Sequence, residues 1–94
     1  MYPFIEAHRT ALKALAEHYG LAEVRVFGSM ARGDADPASD VDLLVLPLPG
    51  TSLLALGGFV ADAEALLGRH VEVVSERALH PLIRDRALAE AQAL

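Results

Sequence analysis

Two aspartates set two apart, Asp40 and Asp42, are the side chains whose spacing first suggests chemistry. They open a branched apolar run, Val41 to Leu46, which reads as a strand closed by prolines. On a strand, residues i and i+2 share a face, so both carboxylates point the same way, their Cα atoms roughly 6 to 7 Å apart. Val41 and Leu43 turn to the other side, into a core. Two like charges ~4 Å apart cost about 4 kcal/mol at the effective dielectric of a protein surface. A hard dication removes that cost, and Mg²⁺ takes a few carboxylates together with substrate phosphates. An isolated Asp-x-Asp is more often a turn cap beside a solvated strand residue, so the pair needs company. Gly28-Ser29 provides it, with ten residues between Ser29 and Asp40. There a strand gives way to a short helical turn. The free backbone N–H groups of such a bend cradle anions, glycine permits close approach, and the serine hydroxyl adds a donor.

Two rival motifs fail on the same residues. Gly28 and Gly33 have the spacing of a P-loop, but Asp34-Ala35 stands where lysine and Ser/Thr are required. The series Asp34, Asp36, Asp40, Asp42 hints at a calcium loop. Counted from Asp34, its sixth position is Ser39 rather than glycine and its twelfth is Val45 rather than glutamate.

The flanking pattern supplies elements to hold these groups. Pro3 suits the first turn of a helix carrying Phe4, His8, Ala11, Leu12, Leu15 and Tyr19 on one face, with Gly20 as its stop. Val24 to Phe27 is a short strand, and Met30 to Arg32 a short helix leading to a polar loop, Gly33 to Ser39. A second long helix runs from about Ser52 to Leu67, capped by Thr51 or Ser52 and stopped by Gly68. Its Gly57-Gly58 pair costs about 2 kcal/mol relative to alanines. Val71 to Val74 is a third strand, and Pro81 opens a last helix reaching the C-terminus. Its set Leu82, Ile83, Ala87, Leu88, Ala91 and Leu94 is expected to dock on the sheet. The order α-β-α-β-α-β-α predicts an α/β fold with one small three-stranded mixed sheet packed with helices.

At 94 residues the chain reads as a single domain, 1–94, and 53% hydrophobic against 22% charged residues exclude intrinsic disorder. No cysteine is present, which removes disulfides, thiolate metal sites and a thiol nucleophile. Thirteen acidic against eight basic residues give a net charge of -5, the wrong sign for replacing counterions on DNA or RNA. Residues 43–61 carry no formal charge, but Pro47, Pro49, Gly50, Thr51 and Ser52 interrupt them, which argues against a membrane span. With Glu6, His8 and Arg9 so early, the N-terminus lacks a signal-peptide layout, and a cytoplasmic protein is expected. His18, His70 and His80 share no metal spacing, His8 reads as packed, and Tyr2 and Tyr19 as packing residues.

Taken together, Gly28-Ser29, ten residues, then Asp40-Val41-Asp42 resembles the signature of the DNA polymerase β-like nucleotidyltransferase superfamily. Ala31-Arg32-Gly33 and Ser39-Asp40-Val41-Asp42-Leu43 are similar to its minimal nucleotidyltransferase branch, often encoded beside a HEPN-domain protein as a toxin–antitoxin pair. The resemblance covers nearly the whole chain and implies the nucleotidyltransferase fold. It also implies a third carboxylate on the last strand, usually aspartate. Glu72 stands at that place, and alternation sets it on the face opposite Val71 and Val73. By resemblance, Asp40, Asp42 and Glu72 would hold two Mg²⁺ ions, and Gly28, Ser29 and Arg32 would meet the phosphates of ATP. The implied reaction moves AMP from ATP onto a hydroxyl, that of a tyrosine, on a HEPN toxin, which neutralises it. The alternatives are a binding-only antitoxin that masks its partner, motivated by glutamate at position 72, and a small-molecule-modifying enzyme. Asp34 and Asp36 read as loop solubilisers.

Overall fold

The branched residues of Val41–Pro47 (β2) force an extended chain, and β2 becomes the axis of the sheet. In the computed structural model, which describes residues 1–94, β2 pairs antiparallel with Leu21–Phe27 (β1) and parallel with Val71–Ser75 (β3). Val41, Leu43 and Val45 are fully buried on one face, as alternation requires. Helices Pro3–Ala7 (α1), Arg9–His18 (α2) and Leu53–Leu67 (α4) supply Ile5, Leu12 and Phe59, each 0% exposed, to the same core. A parallel pair cannot be joined by a tight turn, and α4 is the crossover that carries the chain from β2 to β3. Ser52 caps it, its hydroxyl accepting from the Ala55 N–H at 3.1 Å. The two glycines of α4 differ in kind. A Cβ on Gly58 would lie 2.7 Å from the Tyr19 ring, whereas one on Gly57 would meet nothing within 4 Å. Close approach of α2 and α4 therefore requires glycine at only one of the two. Tyr19 also packs edge-on against Phe59 and donates to Asp62, consistent with its reading as a packing residue.

Three expectations are corrected. The sheet has four strands, in the order β3-β2-β1-β4, because Gln92–Ala93 (β4) pairs with Arg25 and Val26 of β1. A two-residue strand carries no periodicity to read; it is held by Gln92 Nε2 donating to Ala31 O at 2.9 Å and by Arg9 donating to Leu94 O. Accordingly the last helix, Pro81–Glu90 (α5), stops short of the C-terminus. It buries no residue, and Leu82 stays 85% exposed. Leu82, Ile83, Ala87 and Leu88 fall around the helix and not along one face, so no stripe forms to draw it onto the sheet. The first helix breaks at His8 into α1 and α2. The His8 ring donates from Nδ1 to Phe4 O at 2.8 Å, and the His8 N–H shifts to Ile5 O at 3.0 Å. The side chain has taken the carbonyl that the next helical bond needed.

Candidate active site

Register decides what meets at the end of the sheet. Asp42 of β2 pairs with Glu72 of β3, and the Val41 N–H bonds His70 O at 3.0 Å. Val41 and Val71 are buried, so the alternate residues 40, 42, 70 and 72 face away from the core as a square of side chains. The structure therefore brings Asp40, Asp42 and Glu72 together. Asp42, half-buried, has its carboxyl held above the ordinary carboxylate range, first by burial and then by the charges of Glu72 and Asp40. A hydrogen bond with Glu72 adds to the rise, and the nearby Arg32 opposes it. The three carboxylates form a donor set of hard oxygens. That set fits a hard divalent cation.

The Gly28 bend lies directly against this set. Phe27 pairs with Asp42, and Gly28 follows with φ of 71°. A Cβ there would lie 2.4 Å from Asp42 Oδ2. Glycine is thus required twice, for a left-handed backbone and for room beside a carboxylate. The four-residue helix Ser29–Arg32 (α3) follows, with the Ala31 and Arg32 N–H groups each bonding Gly28 O at 3.1 Å. Ser29 O in turn accepts from Gly33 N at 3.0 Å and Asp34 N at 3.2 Å, which folds the bend onto itself.

The cradle already holds an anion. Glu90, at the end of α5, accepts through one oxygen from the Gly28 N–H at 2.8 Å and from Arg32 NH1 at 2.9 Å. Two of the three groups expected to meet phosphate thus converge on a single carboxylate oxygen. Nothing in the sequence could show this, since Glu90 lies 62 residues from Gly28. Arg69 was likewise missed. It donates to Asp36 O at 3.0 Å and Ser39 O at 3.3 Å, with its guanidinium 4.2 Å over the Phe4 ring, and so fixes the loop entering Asp40. Asp34 and Asp36 do more than solubilise the loop. Asp34 pairs with Arg32 at 3.2 Å, and Asp36 accepts from the Ala38 N–H at 2.7 Å to close the turn. His70, set aside on spacing, stands with Asp40 and Glu72, their ligand atoms within 4.8 Å of one another. The alternation that placed Glu72 was the signal for it.

The carboxylate site is an open surface. The most enclosed hollow, about 250 Å³ and lined in part by Lys13, Leu21, Arg25 and Leu94, lies at the β1–β4 edge and shares no residue with it. No helix is long and apolar enough to cross a membrane.

Comparison with known proteins adds an independent line. The nucleotidyltransferase domain family matches residues 8–94. The protein adenylyltransferase MntA of Thermococcus cleftensis is 40% identical over 86 residues, covering 92% of this chain and 84% of that protein. A solved structure described as a minimal nucleotidyltransferase superposes with a TM-score of 0.90 at 43% identity, covering 100% of this chain and 97% of that one. A toxin–antitoxin crystal structure with AMP-PNP shares the fold, with a TM-score of 0.77 at 19% identity over 89% of this chain and 69% of that one.

Proposed function

The chain belongs to the nucleotidyltransferase domain family and is a nucleotidyltransferase related to protein adenylyltransferases, and from that premise we propose that it transfers AMP from ATP to a hydroxyl of a partner protein in the cytoplasm. The partner in this reading is a HEPN-domain toxin, the acceptor a tyrosine, and the transfer an antitoxin's act. The observation that carries it is the meeting of Asp40, Asp42 and Glu72 against the Gly28 bend, with Arg32 beside them. An open site without a further wall suits an acceptor brought in by another protein.

Asp40, Asp42 and Glu72 would hold Mg²⁺, two ions in this reading. When bound, such ions screen the triphosphate and stabilise both the entering and the leaving oxygen. The chain's own groups do the positioning. The Gly28 N–H, the Ser29 hydroxyl and the Arg32 guanidinium receive the β and γ phosphates once Glu90 has moved aside, which leaves the α-phosphorus facing the carboxylates. The acceptor oxygen attacks in line, the bond to the bridging oxygen breaks, and pyrophosphate leaves. Glu72, an exposed carboxylate, is placed in this reading to take the acceptor's proton.

The test is incubation of the chain with a HEPN partner, Mg²⁺ and ATP labelled in its α-phosphate. Label should move to the partner with wild type and not with Asp42→Asn. Absence of transfer from wild type at every Mg²⁺ concentration overturns the proposal. One observation favours a masking antitoxin instead, namely that Glu90 already fills the cradle. Full neutralisation of the toxin by the Asp40→Ala, Asp42→Ala double variant would establish that reading.

A further inference from the structure

His70 stands beside the carboxylate set with one ring nitrogen pinned and the other turned toward it. Glu64 of α4 is the pin. Its Oε2 accepts from the Val71 N–H at 3.1 Å and lies 3.0 Å from His70 Nδ1. That contact is on the Nδ1 side of the ring and leaves Nε2 on the side away from Glu64. Nε2 points to the other side, 3.7 Å from Glu72 Oε1. That is beyond a hydrogen bond. It matches the spacing of two donors on one ion, since ligands each ~2.1 Å from a metal lie about 3 to 4 Å apart. The nearest ligand atoms of Asp40, His70 and Glu72 all fall within 4.8 Å of one another. A histidine whose far nitrogen is anchored to a carboxylate is the arrangement by which proteins orient metal-binding imidazoles.

We propose that His70 is a metal ligand acting with Asp40 and Glu72, and that it turns the site toward a first-row transition dication in preference to Mg²⁺. The inference rests on the metal-dependent reading of the carboxylate site and adds a nitrogen donor to it. All-oxygen sets suit Mg²⁺, whereas imidazole strengthens binding along the transition series from Mn²⁺ onward. Glu64 is a positioning residue here. It contacts the far side of the ring and touches no ion.

The test is metal binding by the full chain without nucleotide, with free Mn²⁺ followed by its paramagnetic resonance and Mg²⁺ by calorimetry. His70→Ala should weaken Mn²⁺ by about tenfold or more and leave Mg²⁺ within about twofold, and Glu64→Ala should weaken Mn²⁺ by about tenfold. Unchanged Mn²⁺ affinity in His70→Ala, or equal losses for both metals, overturns the inference. Should that variant fail to fold, wild type decides by NMR. Substoichiometric Mn²⁺ should broaden the His70 ring signals before those of His8, His18 or His80, and any other order overturns the assignment. The parent reading fails separately: if wild type binds Mn²⁺ through His70 but never transfers AMP, only the enzymatic proposal falls. If it transfers AMP with Mg²⁺ while His70→Ala leaves metal selectivity unmoved, only the present inference falls.

Discussion

Replacing Glu90 by alanine should make the protein bind ATP more tightly, although the residue lies at the site. In the structure its carboxylate accepts from the Gly28 N–H at 2.8 Å and from Arg32 at 2.9 Å, so an incoming phosphate must displace it. A net protein hydrogen bond is worth about 1 kcal/mol. The Arg32–Glu90 pair, with side chains 50% and 30% exposed, adds between about 0 and 1 kcal/mol. Together they hold the cradle closed by about 1 to 2 kcal/mol. An affinity is reduced by the fraction of molecules able to bind, so closure on this scale raises the apparent Kd by about 6- to 30-fold. Helix α5 buries no side chain, so little else resists opening. Calorimetric titration with a non-hydrolysable ATP analogue and Mg²⁺ should show Glu90→Ala binding tighter by that factor. Glu90→Gln should fall between, since the amide oxygen keeps the Gly28 bond and loses the charge. Equal or weaker binding by a folded Glu90→Ala refutes the reasoning, because the carboxylate would then be a helper of the nucleotide and not its competitor.

Two further outcomes follow from particular positions. Gly57→Ala should raise stability by about 1 kcal/mol, the helix-propensity gain at a site where a methyl meets nothing, while Gly58→Ala should lower it by driving a methyl into the Tyr19 ring; thermal unfolding of both variants checks the contrast. Asp42 binds its proton more tightly in the folded chain than in the unfolded one, so its contribution to stability is present in acid and lost as pH rises through its raised folded value. In chelator at neutral pH, Asp42→Asn should therefore melt higher than wild type, with the gap closing at low pH; a wild type that melts higher at neutral pH contradicts the assignment.

The carboxylate set was legible because two strands with strict alternation fix which side each residue faces. Once Val41 and Val71 are taken inward, Asp42 and Glu72 have nowhere else to point, and only the parallel register had to come from the structure. The same rule would have found His70, two residues before Glu72, had the histidines been read for strand parity and not only for their spacing from one another. Glu90 and Arg69 were out of reach for a different reason. Each acts on backbone groups tens of residues away, and a backbone N–H or carbonyl leaves no mark in a sequence. The fourth strand escaped because two residues cannot show a period, and the break at His8 because a side chain competing for one carbonyl is invisible to helical spacing. The α5 stripe misled because its apolar residues are spread around the helix and share no one face.

The parallel pairing of β2 and β3 also has a kinetic side. Asp42 and Glu72 become neighbours only after the whole α4 crossover has folded back, so no short fragment of the chain contains the acidic square. An ion seated there would act as a clasp across the parallel seam of the sheet, binding the finished structure and not its precursors. Scarcity of divalent ions should then shorten the lifetime of the folded protein as well as silence its chemistry.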